Sequence, residues 1–172
     1  IAAYLNLDMV GRLDDHLHVQ GVGSSSVWRR LLEQQNLPVG LALRLQADAY
    51  LPTDTTSFYL AGVPILSFFT GVHADYNTSR DTAERLNYDG LSRIARLAGA
   101  LTAAVAASDA PPDYVAQAKP STGASRANLR AYLGTIPAYT ETDTAGVLVD
   151  GVAKDGPAER GGLLAGDIIV AV

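Results

Sequence analysis

The sequence has no cysteine among its 172 residues. Disulfides and thiolate metal sites are therefore excluded, and the absence suits an oxidising compartment. Lysine and arginine number 13 against 18 aspartates and glutamates, a formal net charge of −5. That balance supplies no basic footprint, so nucleic acid is not an expected partner. No apolar run approaches the roughly 20 residues that cross a bilayer, so no membrane span is expected. An initiating methionine and a signal peptide are also missing, because residue 1 is an isoleucine already inside an apolar segment. The last residues, 167 to 172, read as a strand that stops without a turn. The chain is expected to be an internal piece of a longer protein.

What is present has the composition of a folded globular protein, 48% hydrophobic and 18% charged. The length suits one domain and part of another. The most informative stretch is Phe68 to Thr82, FFTGVHADYNTSRDT. An apolar run from Pro64 to Phe69 stops at Thr70-Gly71, and a polar loop follows that carries His73, Asp75, Tyr76, Asn77 and Asp81. A buried strand that ends in a loop of ligand-type residues is how α/β folds build sites, since the strand is rigid and its carboxyl end is open.

Taken in order, Ile1 to Val10 is almost continuously apolar and predicts a buried strand of a parallel sheet. Asp8 lies near its end, where a carboxylate needs a cation or several donors. A metal, an ion pair with Arg12 and a turn cap all remain open for it. The alternation HLHVQG, residues 16–21, predicts a short strand with His16 and His18 on one face. Two such histidines can bind metal, but a solvated sheet edge is the favoured expectation. Ser24 to Ser26 offer an N-cap for a helix from Val27 to Leu37, and a strand is predicted from Leu41 to Gln46. Thr53 or Asp54 can cap a short helix from Thr55 to Ala61. Asp54 can equally orient a ligand from behind it. A strand from Val63 to Phe69 then leads into the loop. Beyond the loop, Asp89 is expected to cap a helix from Leu91 to Ser108, with Leu91, Ile94, Ala98, Leu101 and Val105 as its buried stripe.

Residues 108–125, rich in Pro, Ser, Ala and Gly, read as a linker. A second unit follows. It has a strand approach over Arg130 to Pro137, a strand over Ala145 to Ala153, a short helix with Pro157 in its first turn, and a last strand after Gly166-Asp167.

Tyr4-Leu-Asn-Leu-Asp-Met-Val-Gly-Arg12, Thr53-Asp54, Gly62-Val63-Pro64 and the run Thr70 to Thr82 together resemble the family-28 zinc metallopeptidases, the aminopeptidase-Y and leucyl-aminopeptidase-like enzymes. The resemblance covers about residues 1–107. It implies an α/β fold of the phosphorylase/hydrolase type with a mixed central sheet and flanking helices. It also implies a pair of zinc ions that activate water for hydrolysis of peptide substrates at a free N-terminus. Asp8 matches an aspartate zinc ligand of that family, and Tyr76 a tyrosine aimed at the developing oxyanion. The family's last histidine ligand falls at Asn77 here. An amide oxygen is a poor zinc ligand, so His73 is the favoured metal-binding residue of the loop. Asp54 and Asp81 are expected to act from behind the ligands. The family's remaining ligands lie upstream of this chain, so the piece alone is not expected to assemble a two-zinc site.

Residues 126–172 resemble the first part of a bacterial PDZ domain, an incomplete and mainly β module. Tyr132, Leu133, Gly134, Thr135 and Ile136 correspond to the loop that receives the carboxylate of a peptide C-terminus. The whole is expected to be a periplasmic or secreted bacterial exopeptidase whose signal lies outside this chain. Two alternatives are a pseudo-peptidase, decayed at Asn77, that works through its PDZ module, and a glutaminyl-cyclase-like enzyme on the same fold.

Overall fold

In the computed structural model the described residues are 1–76, 78–118, 133–137 and 145–171. The chain divides into two compact units, Ile1–Pro120 and Ser121–Val172.

The first unit contains β1 (Tyr4–Leu7), β2 (Leu17–Gln20), α1 (Trp28–Asn36), β3 (Leu43–Leu45), α2 (Thr55–Leu60), β4 (Ile65–Phe69) and α3 (Tyr88–Ala106). The strands form one mixed sheet in the order β1-β4-β2-β3. β1 runs parallel to β4, β4 antiparallel to β2, and β2 parallel to β3. This is the mixed sheet with flanking helices that the family resemblance implies.

Strand alternation sorts the apolar residues onto two faces. Leu17, Val19, Leu66 and Phe68 point to the face where Trp28 and Leu32 of α1 and Ile94, Leu97 and Leu101 of α3 complete a buried cluster. On the opposite face Ile65 packs with Tyr59, Ala49 and Leu51, and Tyr4 stacks on Phe58 of α2 with ring centroids 3.8 Å apart. Burying side chains of this size contributes about 1.5–3 kcal/mol each, so the two faces bind the helices to the sheet.

Four local expectations are corrected. The HLHVQG stretch is not an edge: β2 lies between β4 and β3 and all four of its residues are buried. Conversely, β1 is only partly buried, because among the described residues it pairs with β4 alone. Asp89 does not cap α3. Asn87 does, accepting from Gly90 N at 2.8 Å and donating to Leu13 O at 2.6 Å, because the helix starts one residue before Asp89. Finally, Asp54 stands at the N-cap position of α2 but makes no side-chain cap hydrogen bond.

The serines before α1 have another use. Ser24 Oγ donates to Ile65 O (2.8 Å) and accepts from Ile65 N (2.9 Å) and Trp28 Nε1 (3.1 Å), fully buried. A side chain thus replaces β2 as the partner of β4 beyond the Gln20–Ser67 pair, which satisfies backbone groups that burial would otherwise leave unpaired.

Part of the expected linker is hydrogen-bonded to the first unit as an extended strap. Asp113 accepts from Ser25 Oγ at 2.6 Å and from Ser26 N at 3.0 Å, and those serine bonds hold its carboxyl below the ordinary range. Val115 N donates to Ser24 O, Tyr59 Oη donates to Val115 O, and the Gln117 side chain bridges Ala47 O and Ala49 N. Gly23 leaves the space, since a Cβ there would lie 2.1 Å from Gln117 Nε2. Composition alone reads this stretch as loose, while Asp113 and Gln117 specify where it docks.

In the second unit β5 (Thr135–Pro137), β6 (Val147–Val152) and β7 (Ile168–Ile169) form an antiparallel sheet in that order, with α4 (Pro157–Arg160) between β6 and β7 in sequence. Among the described residues no helix is long and apolar enough to cross a membrane.

Removing the Ser24 hydroxyl leaves three buried partners unsatisfied. Ser24→Ala should therefore lower the unfolding free energy by about 3 kcal/mol in urea titration. A value within about 0.5 kcal/mol of the wild type, the range of a neutral surface change, would contradict the bridging role.

Candidate active site

The register of β1 on β4 decides what meets at the sheet edge. Leu7 lies opposite Phe68, and Asp8 N donates to Phe68 O at 3.2 Å. Both strands therefore end together, delivering Asp8 and the loop after Phe69 to one edge. Immediately beyond Asp8, Met9 takes the left-handed conformation (φ 50°). Its carbonyl accepts from Thr70 N at 3.3 Å and from the Thr70 hydroxyl, and Arg12 N donates to Thr70 Oγ1. A methionine in that region is uncommon and costs backbone strain, so the Thr70 contacts hold the kink in place.

The loop closes on itself through Tyr76 N, which donates to His73 O at 3.0 Å. His73 and Tyr76, the two ends of this turn, line a cleft of about 370 Å³ together with Met9, Arg12, Thr78 and Asp81. Their rings stand edge to face, 6.5 Å apart. His73 Nε2 lies 3.8 Å from Asp81 Oδ2, too far for a hydrogen bond. His73 Nδ1 is buried without a partner. The Tyr76 hydroxyl makes no hydrogen bond to another described residue.

Asp75, between those two residues, turns the other way. It is buried and receives Arg80 Nε at 3.1 Å and Arg85 Nη1 at 2.7 Å, with Arg12 Nη2 at 3.9 Å. Burial alone raises its carboxyl, but the Arg80 hydrogen bond and the Arg85 and Arg80 charges outweigh this and hold it below the ordinary range. Arg12 also donates to Asp81 Oδ1 at 2.6 Å. The sequence places Asp75 in the loop of ligand-type residues, but its role as the acceptor for these arginines is not foreseen there. The available signal was a carboxylate followed by arginines five and ten positions later.

The sequence-predicted residues are therefore distributed as follows. His73, Tyr76 and Asp81 share the cleft. Asp8 is exposed at the end of β1, its neighbour Met9 lines the cleft in its stead, and its carboxylate has no ion pair or hydrogen bond among the described residues. Arg12, the alternative partner for Asp8, is committed to Asp81 and Asp75. Asp54 is exposed and lines no part of the cleft. Asn77 and Tyr132 lie outside the described residues. Of the peptide-carboxylate loop, Gly134 has φ 79°, Leu133 is exposed, and Thr135 and Ile136 begin β5.

Among the described residues Asp8 and His73 each offer an uncommitted donor of the type that zinc accepts. Yet no group of three histidine, aspartate or glutamate side chains able to hold a metal exists among the described residues. By themselves these residues do not make a metal site.

His16 and His18 form an edge-to-face pair 4.7 Å apart, with His18 next to Phe69 across the strands. No third ligand joins them among the described residues. Burial, with the charges of His16 and Arg44, pushes His18 down to about 4.

The comparisons with known proteins concern the first unit. The family model described as peptidase family M28 matches residues 1–102. The crystal structure of the Legionella pneumophila LapA aminopeptidase is similar, with a TM-score of 0.52 and 20% identity, covering 63% of this chain and 32% of that one. At this identity the likeness establishes the fold alone, and the chain spans about a third of LapA's length. No curated protein matches the sequence.

The lowered His18 value makes a prediction of definite sign. Its folded pKa lies below the ordinary 6.5, so the neutral ring's contribution is complete above about pH 6.5 and is lost as pH falls towards about 4. The urea midpoint should therefore drop between pH 7 and pH 5, and drop less in His18→Gln. Equal pH slopes for the two proteins would remove His18 from the account.

Proposed function

The chain belongs to peptidase family M28, and from this membership we propose that it forms the C-terminal part of the catalytic domain of an aminopeptidase acting on free N-termini of peptides. The observation that carries the reading is the shared edge of β1 and β4. There an Asp8 carboxylate without a partner among the described residues and a turn presenting His73 and Tyr76 arrive together.

In this reading Tyr76 acts through its hydroxyl, which has no hydrogen-bond partner among the described residues and would donate to the oxygen that gains charge as the scissile carbonyl is attacked. A donor already positioned for that oxygen lowers the barrier because no reorganisation is needed at the moment of reaction. His73 walls the same cleft. Peptidases of this family are generally zinc-dependent, and zinc would supply Lewis-acid activation of water and carbonyl. We assign Asp8 as one carboxylate ligand of a zinc site whose other ligands come from outside the described residues, because among the described residues its carboxylate has no partner at this edge. The absence of cysteine agrees with an extracytoplasmic location.

For the second unit, we infer a PDZ-type peptide-binding module. Gly134, in the left-handed region, leads directly into β5, and β5 pairs only with β6 among the described residues. No described strand pairs with its other edge, where a peptide would add as a strand in this reading.

Asp8→Asn in the full-length protein should lose bound zinc and most activity while retaining the fold. Unchanged zinc stoichiometry by elemental analysis would reject Asp8 as a ligand.

A further inference from the structure

We propose that Asp75 is a positioning residue for the peptidase reaction: through Arg12, Arg80 and Arg85 it fixes the turn that aims Tyr76 and His73 into the cleft. The proposal rests on the peptidase reading above.

The geometry divides the four residues of the turn by task. His73 and Tyr76 close it with their backbone bond and line the cleft. Asp75 is buried on the other side, where one carboxylate gathers side chains from three places in the chain. Arg12 comes from the segment just after β1, so its contact ties the loop to the strand that carries Asp8. Arg80 lies further along the loop itself. Arg85 belongs to the 3-10 turn Ala83–Arg85, from which the chain runs on to the Asn87 cap of α3. The carboxylate is the common anion of this cluster, and among its three arginines Asp81 pairs with Arg12.

Without the negative charge at position 75, Arg80 and Arg85 would lose an ionised acceptor, and all three guanidinium groups would lose their shared counter-charge and repel one another. The described residues between Gly71 and Thr82 contain no regular secondary structure, so little else fixes the direction of the turn. Thr78 N and its hydroxyl bond to the Asp75 carbonyl, and these remain when the side chain changes. The expected consequence is a misdirected turn on an intact fold. Tyr76 would keep its place in the sequence but lose its aim, which lowers turnover more than substrate binding.

The test uses the full-length protein with bound metal and a panel of aminoacyl nitroanilides. Misplacing a catalytic group by about 1 Å can cost about 100-fold in rate, so Asp75→Asn should lower kcat by about that factor. KM should stay within about twofold, the pattern of an interaction made in the transition state. Zinc content should be unchanged, hydrogen exchange should quicken at the Tyr76 amide, and Asp75→Glu should restore part of kcat. Arg85→Gln, a change at a half-exposed residue that removes one contact only, should lower kcat in the same direction by less. The proposal is overturned if Asp75→Asn keeps kcat within about twofold, or if its loss only tracks the folded fraction with no rescue by glutamate. If the wild type releases no residue from any substrate, the peptidase reading fails by itself. Tyr76 amide exchange then decides the role of Asp75: unchanged protection in Asp75→Asn rejects it, and faster exchange confined to the loop supports it.

Discussion

The parallel pairing of β1 with β4 is the constraint on which the rest of the first unit depends. Its register places Leu7 opposite Phe68, and a slip of one residue would turn every side chain of β1 to the other face. Asp8 and the His73–Tyr76 turn would then no longer end at the same edge. The two hydrophobic clusters hold that register from both sides. Phe68 and Leu66 are fixed among α1 and α3, and Ile65 is fixed with Tyr59 and stacked Tyr4–Phe58 on the side of α2.

Around this rigid pair the polar parts are assembled by hydrogen-bonding groups in place of regular structure. Ser24 substitutes for a strand beside Ile65, Asn87 joins the start of α3 to Leu13, and Asp75 joins the loop to the segment after β1. Ser24 and Asp75 are themselves buried, and a buried polar group is costly to leave without its partners, which makes the arrangement specific. The result is a cleft whose walls come from two strand ends and one loop. Membership of peptidase family M28 gives these walls a chemical meaning.

The sequence by itself determined the elements whose signal is local. The stripe of α3 follows from helical spacing, and the apolar runs of β1 and β4 from composition. The order of motifs from Asn6 to Thr82 determined the family. Tertiary structure decided what depends on neighbours. Whether β2 is an edge or an interior strand is set by which strands flank it, so HLHVQG reads as exposed yet is buried. Whether 109–118 hangs loose is set by donors on Ser25, Ser26 and Ala49, which are distant in sequence. Arg12 chose Asp81 and Asp75 over nearby Asp8 for the same reason: partners are fixed by the folded path of the loop, and no spacing in the sequence records that path.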